Sequence, residues 1–311
     1  MAHLVESMMY VGKEPWHGLG RKIPEGKKLS IGEAIVAAGL NWDVELRPLY
    51  TVNGPMLVEI PERYAVCRQK DGAALGVVGP DYTPLQNKEA FAWFQPFLDT
   101  GDVTIETAGS LKGGSVIWVL ARIVAGELKV SEEDKIAHYV LLSNSHDGSL
   151  SVRVGFTPIR VVCNNTLSFA HESQASKLLR VRHTARVVEN LEYIREIMDL
   201  AHKEFHATIE QYRVLREKEI NQDDLVKYVR IVFGLSETGG KELIPNVAYL
   251  LEYGRGSKAA GKTYWGAYNA VTEYLNYFRG KTQDSTLSSL WFGDSSQVNK
   301  KALHVAMQMA A

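Results

Sequence analysis

The chain has 311 residues, a formal net charge of −1, 45% hydrophobic residues and 23% charged residues, values that exclude a disordered chain and fit one large globular domain or two of ordinary size. No apolar run approaches the roughly 20 residues needed to cross a bilayer, and the first residues lack a basic flank followed by an apolar core, so the expectation is a cytoplasmic protein. Cys67 and Cys163 are the only cysteines, each inside an apolar strand pattern (YAVCR, RVVCN), which suits buried reduced thiols better than a disulfide or a metal cage.

Near the start, PWHGLG (Pro15 to Gly20) reads as a loop around Trp16 and His17. Ser30 with Glu33 makes a capping box for a short helix through Ala38, which Gly39 is placed to end. WDVELRPLYTV, Met56 to Ile60, Tyr64 to Arg68 and Ala74 to Val78 follow as extended segments separated by Asn53-Gly54 and Asp71-Gly72, dipeptides that favour tight hairpins. An antiparallel sheet is expected there. Gln86 to Leu98 reads as an amphipathic helix across that sheet, kinked at Pro96. Strand pattern returns in VTIETAG, turns at Lys112-Gly113-Gly114, and continues in VIWVLARIV; Ser131 to Lys135 reads as an acidic, solvated loop.

The central stretch begins with the apolar run Tyr139 to Leu142 and a turn rich in Asn, Ser, Asp and Gly. Then Leu150, Val152, Val154 and Phe156 alternate with Ser151, Arg153, Gly155 and Thr157, the mark of a β-hairpin with one buried face. Pro158, lacking an amide donor, belongs at an edge or bulge. Asn164, Asn165 and Thr166 are competent N-caps, so a helix is expected to start near Asn165. From Arg153 to Arg186 there are six basic residues (Arg153, Arg160, Lys177, Arg180, Arg182, Arg186) and one acid, Glu172. That is the strongest charge asymmetry in a nearly neutral chain.

Beyond this point the pattern becomes helical. Val187, Leu191, Ile194, Met198, Ala201, Phe205, Thr208, Tyr212 and Leu215 recur at spacings of four and three, a heptad seam on a helix of about 35 residues and roughly 50 Å. Such a seam needs another helix, from the same chain or from a second copy. Asn221 can cap a helix through Phe233, Leu243 to Tyr253 continues the region, Tyr264 to Phe278 is a strong aromatic helix, and a Trp291-Phe292-Gly293 turn precedes a final short helix. The expected fold class is α+β: a mixed, antiparallel-hairpin-rich domain over residues 1–182 and a helical region with one long helix over 183–311.

PWHGLG, GFTPIRVVCNNTL, and TYWGAYNAVTEYL followed by SLWFG and a KKAL helix stand in this order. Together they resemble the phage- and plasmid-encoded proteins of the domain-of-unknown-function 932 family, over almost the whole chain. That resemblance implies a family and no activity. The order hairpin, strand, helix in the central stretch is also similar to the core of phage single-strand annealing proteins, which form rings or filaments on DNA.

Three motifs invite chemistry. Gly256-Ser257-Lys258-Ala259-Ala260-Gly261-Lys262-Thr263 matches GxxxxGK[ST], in which backbone amides cradle phosphates, the lysine reaches them and the threonine holds magnesium. The preceding segment, with Pro245, reads as helix more readily than strand, and a flexible loop is the better description. His202 and His206 are four apart on the long helix, but neither HExxH nor HxxEH is present, and both flank the seam as solvated residues do. No catalytic set assembles, so neither enzyme activity nor a cofactor or metal is expected. The basic residues could complement a helix dipole or decorate strands. As a local excess of charge they also suit phosphate backbones.

The leading expectation is therefore single-stranded DNA binding and ATP-independent strand annealing in phage or plasmid recombination by a homo-oligomer, with Arg153, Arg160, Lys177, Arg180, Arg182 and Arg186 on the DNA. The alternative is a non-enzymatic protein docking a host or plasmid partner. A P-loop nucleotide hydrolase comes third.

Overall fold

The computed structural model describes residues 5–12, 20–124, 128–160, 165–166, 179–183, 197–279, 289–290 and 293–311. The fold is mixed α+β, with mostly antiparallel sheets early and helices late. It divides into two compact units. The first comprises Met1–Val124, Val140–Gly155 and Leu178–Met198, and the second Ala125–Tyr139, Phe156–Lys177 and Asp199–Ala311.

In the first unit, β1 (Val5–Val11) pairs in parallel with β2 (Arg21–Ile23) and antiparallel with β6 (Val103–Leu111). β6 pairs with β7 (Val116–Ile123) through the Lys112–Gly114 turn, and the order continues to β9 (Asp134–Ser145) and β10 (Val152–Arg160), of which residues 140–145 and 152–155 belong to this unit. Trp118, Val119, Val140, Val152 and Val154 are each at most 1% exposed, so the alternation in the sequence marks a buried layer. β1 had no counterpart in the sequence reading. Its Met8, Met9 and Tyr10 are buried between β2 and β6.

A second sheet in this unit has the order β3 (Val44–Asn53), β4 (Met56–Arg68), β5 (Ala74–Val78). The Asn53-Gly54 and Asp71-Gly72 turns join these strands as their sequence implies. Met56 to Ile60 and Tyr64 to Arg68 are one strand, because residues 61–63 bulge where Leu49 pairs with Ile60 and Pro48 with Tyr64. Ser30 and Glu33 form the capping box of α1 (Ile31–Ala37). The expected Gln86–Leu98 helix is broken into α2 (Asn87–Ala92) and α3 (Gln95–Asp99), with Pro96 in the first turn of α3, where a missing amide costs nothing. α2 packs on α1 and α3 on β6, and the Gln86 side chain bonds both the N–H and the carbonyl of Val44 at 2.9 Å.

In the second unit β8 (Leu128–Ser131) turns tightly at Glu132-Glu133 into the start of β9. This corrects the expected solvated loop: Asp134 is fully buried and accepts the indole N–H of Trp265 at 2.8 Å. The helix expected from Asn165 is also corrected at its start. Asn165–Thr166 form β11, paired with Ile159 and Arg160 of β10; in the first unit Leu179–Val181 form β12, paired with Val152 to Val154 of β10.

The helices are α4 (Ile197–Glu217), α5 (Gln222–Phe233, capped by Asn221), α6 (Leu243–Tyr253), α7 (Ser257–Ala260), α8 (Tyr264–Glu273) and α9 (Asp294–Ala310). α8 continues through Tyr274–Phe278 with a widened turn, closed by the Arg279 amide on the Tyr274 carbonyl at 2.8 Å. From the heptad seam, Phe205, Thr208, Tyr212 and Leu215 are buried, and Tyr212 packs on Trp265 with ring centroids 4.6 Å apart. This half of the seam is covered within its own chain and needs no second copy. Val187, Leu191 and Ile194 lie outside the described residues. Among the described residues no helix is long and apolar enough to cross a membrane.

Candidate functional site

An open cleft of about 1020 Å³ lies in the first unit, lined by Arg63, Gly79 to Thr83, Gly148, Leu150, Ser151, Arg182 and His183. Four segments make it: Arg63 of β4, residues 79–83, residues 148–151 and residues 182–183. Residues 79–83 leave β5 and are tied to the far segment by the Thr83 amide, which donates to the His183 carbonyl at 3.1 Å. The 145–151 turn is self-braced: the Leu150 amide donates to Ser145 Oγ at 3.0 Å, Ser145 Oγ donates to the Leu150 carbonyl at 2.9 Å, and the Ser149 amide donates to Asp147 Oδ1 at 2.8 Å. Tyr82 spans the two, its hydroxyl donating to the Ser145 carbonyl at 2.8 Å while its ring stacks on His183 at 4.7 Å.

Behind this wall sits a buried polar chain. Asn87 Nδ2 donates to the carbonyls of Leu40 (3.0 Å) and Trp42 (3.2 Å), which leaves its Oδ1 as the acceptor for His146 Nε2 at 2.9 Å. The proton of neutral His146 therefore resides on Nε2. Burial, helped by the neighbouring His183, pulls the His146 pKa down to about 3. His183 is also lowered by burial, against the opposing influence of the Thr83 and Leu150 backbones. Burial, with the charge of Asp147, pushes the Tyr82 hydroxyl well above its usual value. At neutral pH all three rings are thus uncharged. The positive charge lining the cleft comes from Arg63 and Arg182, both exposed, with Asp81 as the carboxylate among the lining residues.

The six expected DNA contacts distribute as follows. Arg153 is half-buried on β10, and the register sets Arg180 of β12 directly across from it. Arg182 follows β12 by one residue and lines the cleft. Arg160 ends β10 opposite Asn165, seven residues from Arg153, about 23 Å along a strand. Lys177 and Arg186 lie outside the described residues. Arg63, absent from the sequence reading, joins Arg182 because the bulge in β4 ends there; its guanidinium would sit 3.5 Å from a Cβ placed on Gly79.

The GxxxxGK[ST] segment has helix on both sides, α6 before it and α8 after it, where a phosphate-binding loop has a strand before it. It is folded, with α7 inside it. Lys262 pairs with Glu252 at 2.9 Å, and Thr263 caps α8, its Oγ1 accepting from the Gly266 amide at 3.1 Å and donating to the Ala260 carbonyl at 2.9 Å. His206 is exposed, and the His202 side chain lies outside the described residues. Among the described residues no group of three or more His, Cys, Asp or Glu is placed to hold a metal ion. Cys67 is a buried free thiol; Cys163 is outside the described residues, as is most of PWHGLG.

Neither a curated protein nor a solved structure shows significant similarity to this chain. Residues 74–291, which carry most of the cleft wall, α4 to α8 and the central hairpin, match a domain of unknown function, DUF932. The chain belongs to the DUF932 family.

Proposed function

We propose that the protein binds single-stranded DNA through the cleft and the adjoining β10–β12 edge, and that it promotes strand annealing without nucleotide hydrolysis. The observation that carries this reading is the meeting of Arg63 and Arg182 in one open cleft that also contains the stacked Tyr82–His183 pair. Phosphate needs exposed guanidinium groups, and unpaired bases need an aromatic surface, here the half-buried ring of Tyr82 backed by buried His183; single-strand binders combine the two. The register of β10 and β12 sets Arg180 directly across from Arg153, two residues before Arg182 of the cleft. Annealing involves no bond chemistry. It requires two strands held with their mutual repulsion screened.

The test is retention of a labelled single-stranded oligonucleotide at several salt concentrations, with wild type and an Arg63→Glu, Arg182→Glu variant. Contacts to phosphate give binding that is largely independent of sequence. Loss of two phosphate contacts lowers the log-log salt slope by about 1.4, at about 0.7 per contact. A double variant that binds as wild type does, or a wild type that binds no single strand, overturns the proposal.

A further inference from the structure

Beyond its bulge the β3–β4 hairpin is an arm with exposed apolar side chains on both faces. Tyr50, Val52, Met56, Leu57, Val58 and Ile60 are 52%, 73%, 61%, 70%, 42% and 38% exposed. Among the described residues β5 pairs only with Tyr64 to Cys67 of β4, so Met56 to Ile60 pair on one side alone, and β3 is an edge strand along its whole length. Cross-strand partners share a face. Val52 with Leu57 and Tyr50 with Glu59 therefore make one apolar surface, and Leu49 with Ile60, Thr51 with Val58 and Asn53 with Met56 make the other. An isolated two-stranded ribbon is marginally stable in water, and exposed apolar edges invite pairing.

We infer that this arm is a self-association surface, on which a second copy of the chain lays its own arm. Charge selects against anionic occupants. Residues 49–60 contain no Lys or Arg and one acid, Glu59, so the arm offers nothing to a phosphate backbone or an anionic lipid surface. The area suits a weak, reversible pairing of like arms: the six exposed apolar side chains lie three to a face and present on the order of 300 Å² per face, below the roughly 800 Å² per partner of a standard interface, so association is concentration-dependent. An arm that is apolar on its faces and open at its edges matches itself about a twofold axis, the arrangement most homo-oligomers use. The inference stands apart from the heptad seam, whose described half is covered internally. It is also independent of DNA binding, although a pair of copies presents the two clefts that annealing of two strands requires.

The test is the mass of the wild type by light scattering across a concentration series, without nucleic acid, against a Val52→Lys, Leu57→Lys variant. The expected result is a concentration-dependent dimer or higher multiple that the variant reduces to the single-chain mass while its circular dichroism remains that of the folded chain. Both residues are mostly exposed, so the monomer fold tolerates the charges. If the double variant misfolds, Val52→Lys alone is expected to weaken association at least tenfold. A wild type of single-chain mass at every concentration overturns the inference, as does an oligomer whose mass the arm variants leave intact. So does a monomer whose arm captures only a different protein.

Discussion

Asp134 accepts the indole N–H of Trp265 at 2.8 Å, and both residues are fully buried, although 131 positions separate them. The pair fastens the start of β9 to α8, whose residues Tyr264 to Glu273 are all buried. Trp265→Phe keeps much of the ring but removes the donor to a buried carboxylate, and should cost about 2 kcal/mol. Trp265→Ala also leaves a cavity, with an expected cost of about 3–5 kcal/mol. Glu132→Ala, two positions from Asp134, is the control: its side chain is 86% exposed and pairs only with Lys129 among the described residues, so little change is expected. Chemical denaturation of the three variants checks the order.

That contrast also shows what the sequence could carry. Glu132, Glu133 and Asp134 are three consecutive acids with no local feature to separate them; only the tertiary position of Trp265 sends the third inward. The capping box at Ser30, the Asn53-Gly54 hairpin, the Asn221 cap and the Val152/Val154 alternation were legible because each is fixed by neighbours in sequence. β1 was not, since Ser7-Met8-Met9-Tyr10 gives neither alternation nor a turn signal, and its strand state comes from β6, about a hundred residues away. Arg182 of the cleft was visible as part of a basic run. Arg63, Tyr82 and His183 were not, because the cleft gathers residues from four distant segments.

His146 gives a pH dependence of known sign. Its folded pKa, near 3, lies below the unfolded value of about 6.5, so below pH 6.5 the unfolded chain binds the extra proton. The contribution to stability is complete above about pH 6.5 and is lost progressively as pH falls toward 3, by at most about 1.4 kcal/mol per pH unit from this group. The lowered His183 acts in the same direction. Denaturant unfolding of wild type and His146→Asn between neutral and mildly acidic pH should show a shallower pH slope in the variant, whatever its absolute stability.

The Gly256–Thr263 segment makes separate predictions for its two formal phosphate ligands. Lys262→Ala removes an ion pair whose side chains are 67% and 43% exposed, and is expected to cost about 0–1 kcal/mol. Thr263→Ala removes the N-cap of α8 and should cost about 1 kcal/mol. Gly266→Ala is the severe change, because its Cβ would stand 2.1 Å from the Gly261 carbonyl oxygen. Thermal unfolding ranks the three. Calorimetry with a nucleoside triphosphate and magnesium should give no heat of binding with wild type, and heat that vanishes in Lys262→Ala would instead establish a phosphate site.

The cleft's shape and its charge are separable. Gly76 of β5 packs against the turn that forms one wall: a Cβ there would lie 2.4 Å from Asp147 Cα and 2.7 Å from Asp147 Cβ, distances that real atoms do not adopt. Gly76→Ala must therefore displace the Asp147–Leu150 turn or β5, at an expected cost of about 1–3 kcal/mol, while leaving Arg63 and Arg182 chemically intact. The Tyr82 hydroxyl bond to Ser145 ties that same turn to the stacked ring pair, so displacement should carry into the aromatic surface. On the proposed reading, removing arginines should lower the salt slope of oligonucleotide binding. Moving the wall should lower affinity at every salt concentration and leave the slope near its wild-type value, because the number of phosphates neutralised would be unchanged and base stacking, of order 1–3 kcal/mol per base, would be what is lost. Parallel salt titrations of Gly76→Ala and the Arg63→Glu, Arg182→Glu variant read both outcomes, with circular dichroism showing that each variant is folded. A folded Gly76→Ala protein with wild-type affinity would mean that bound DNA does not use the Tyr82–His183 surface.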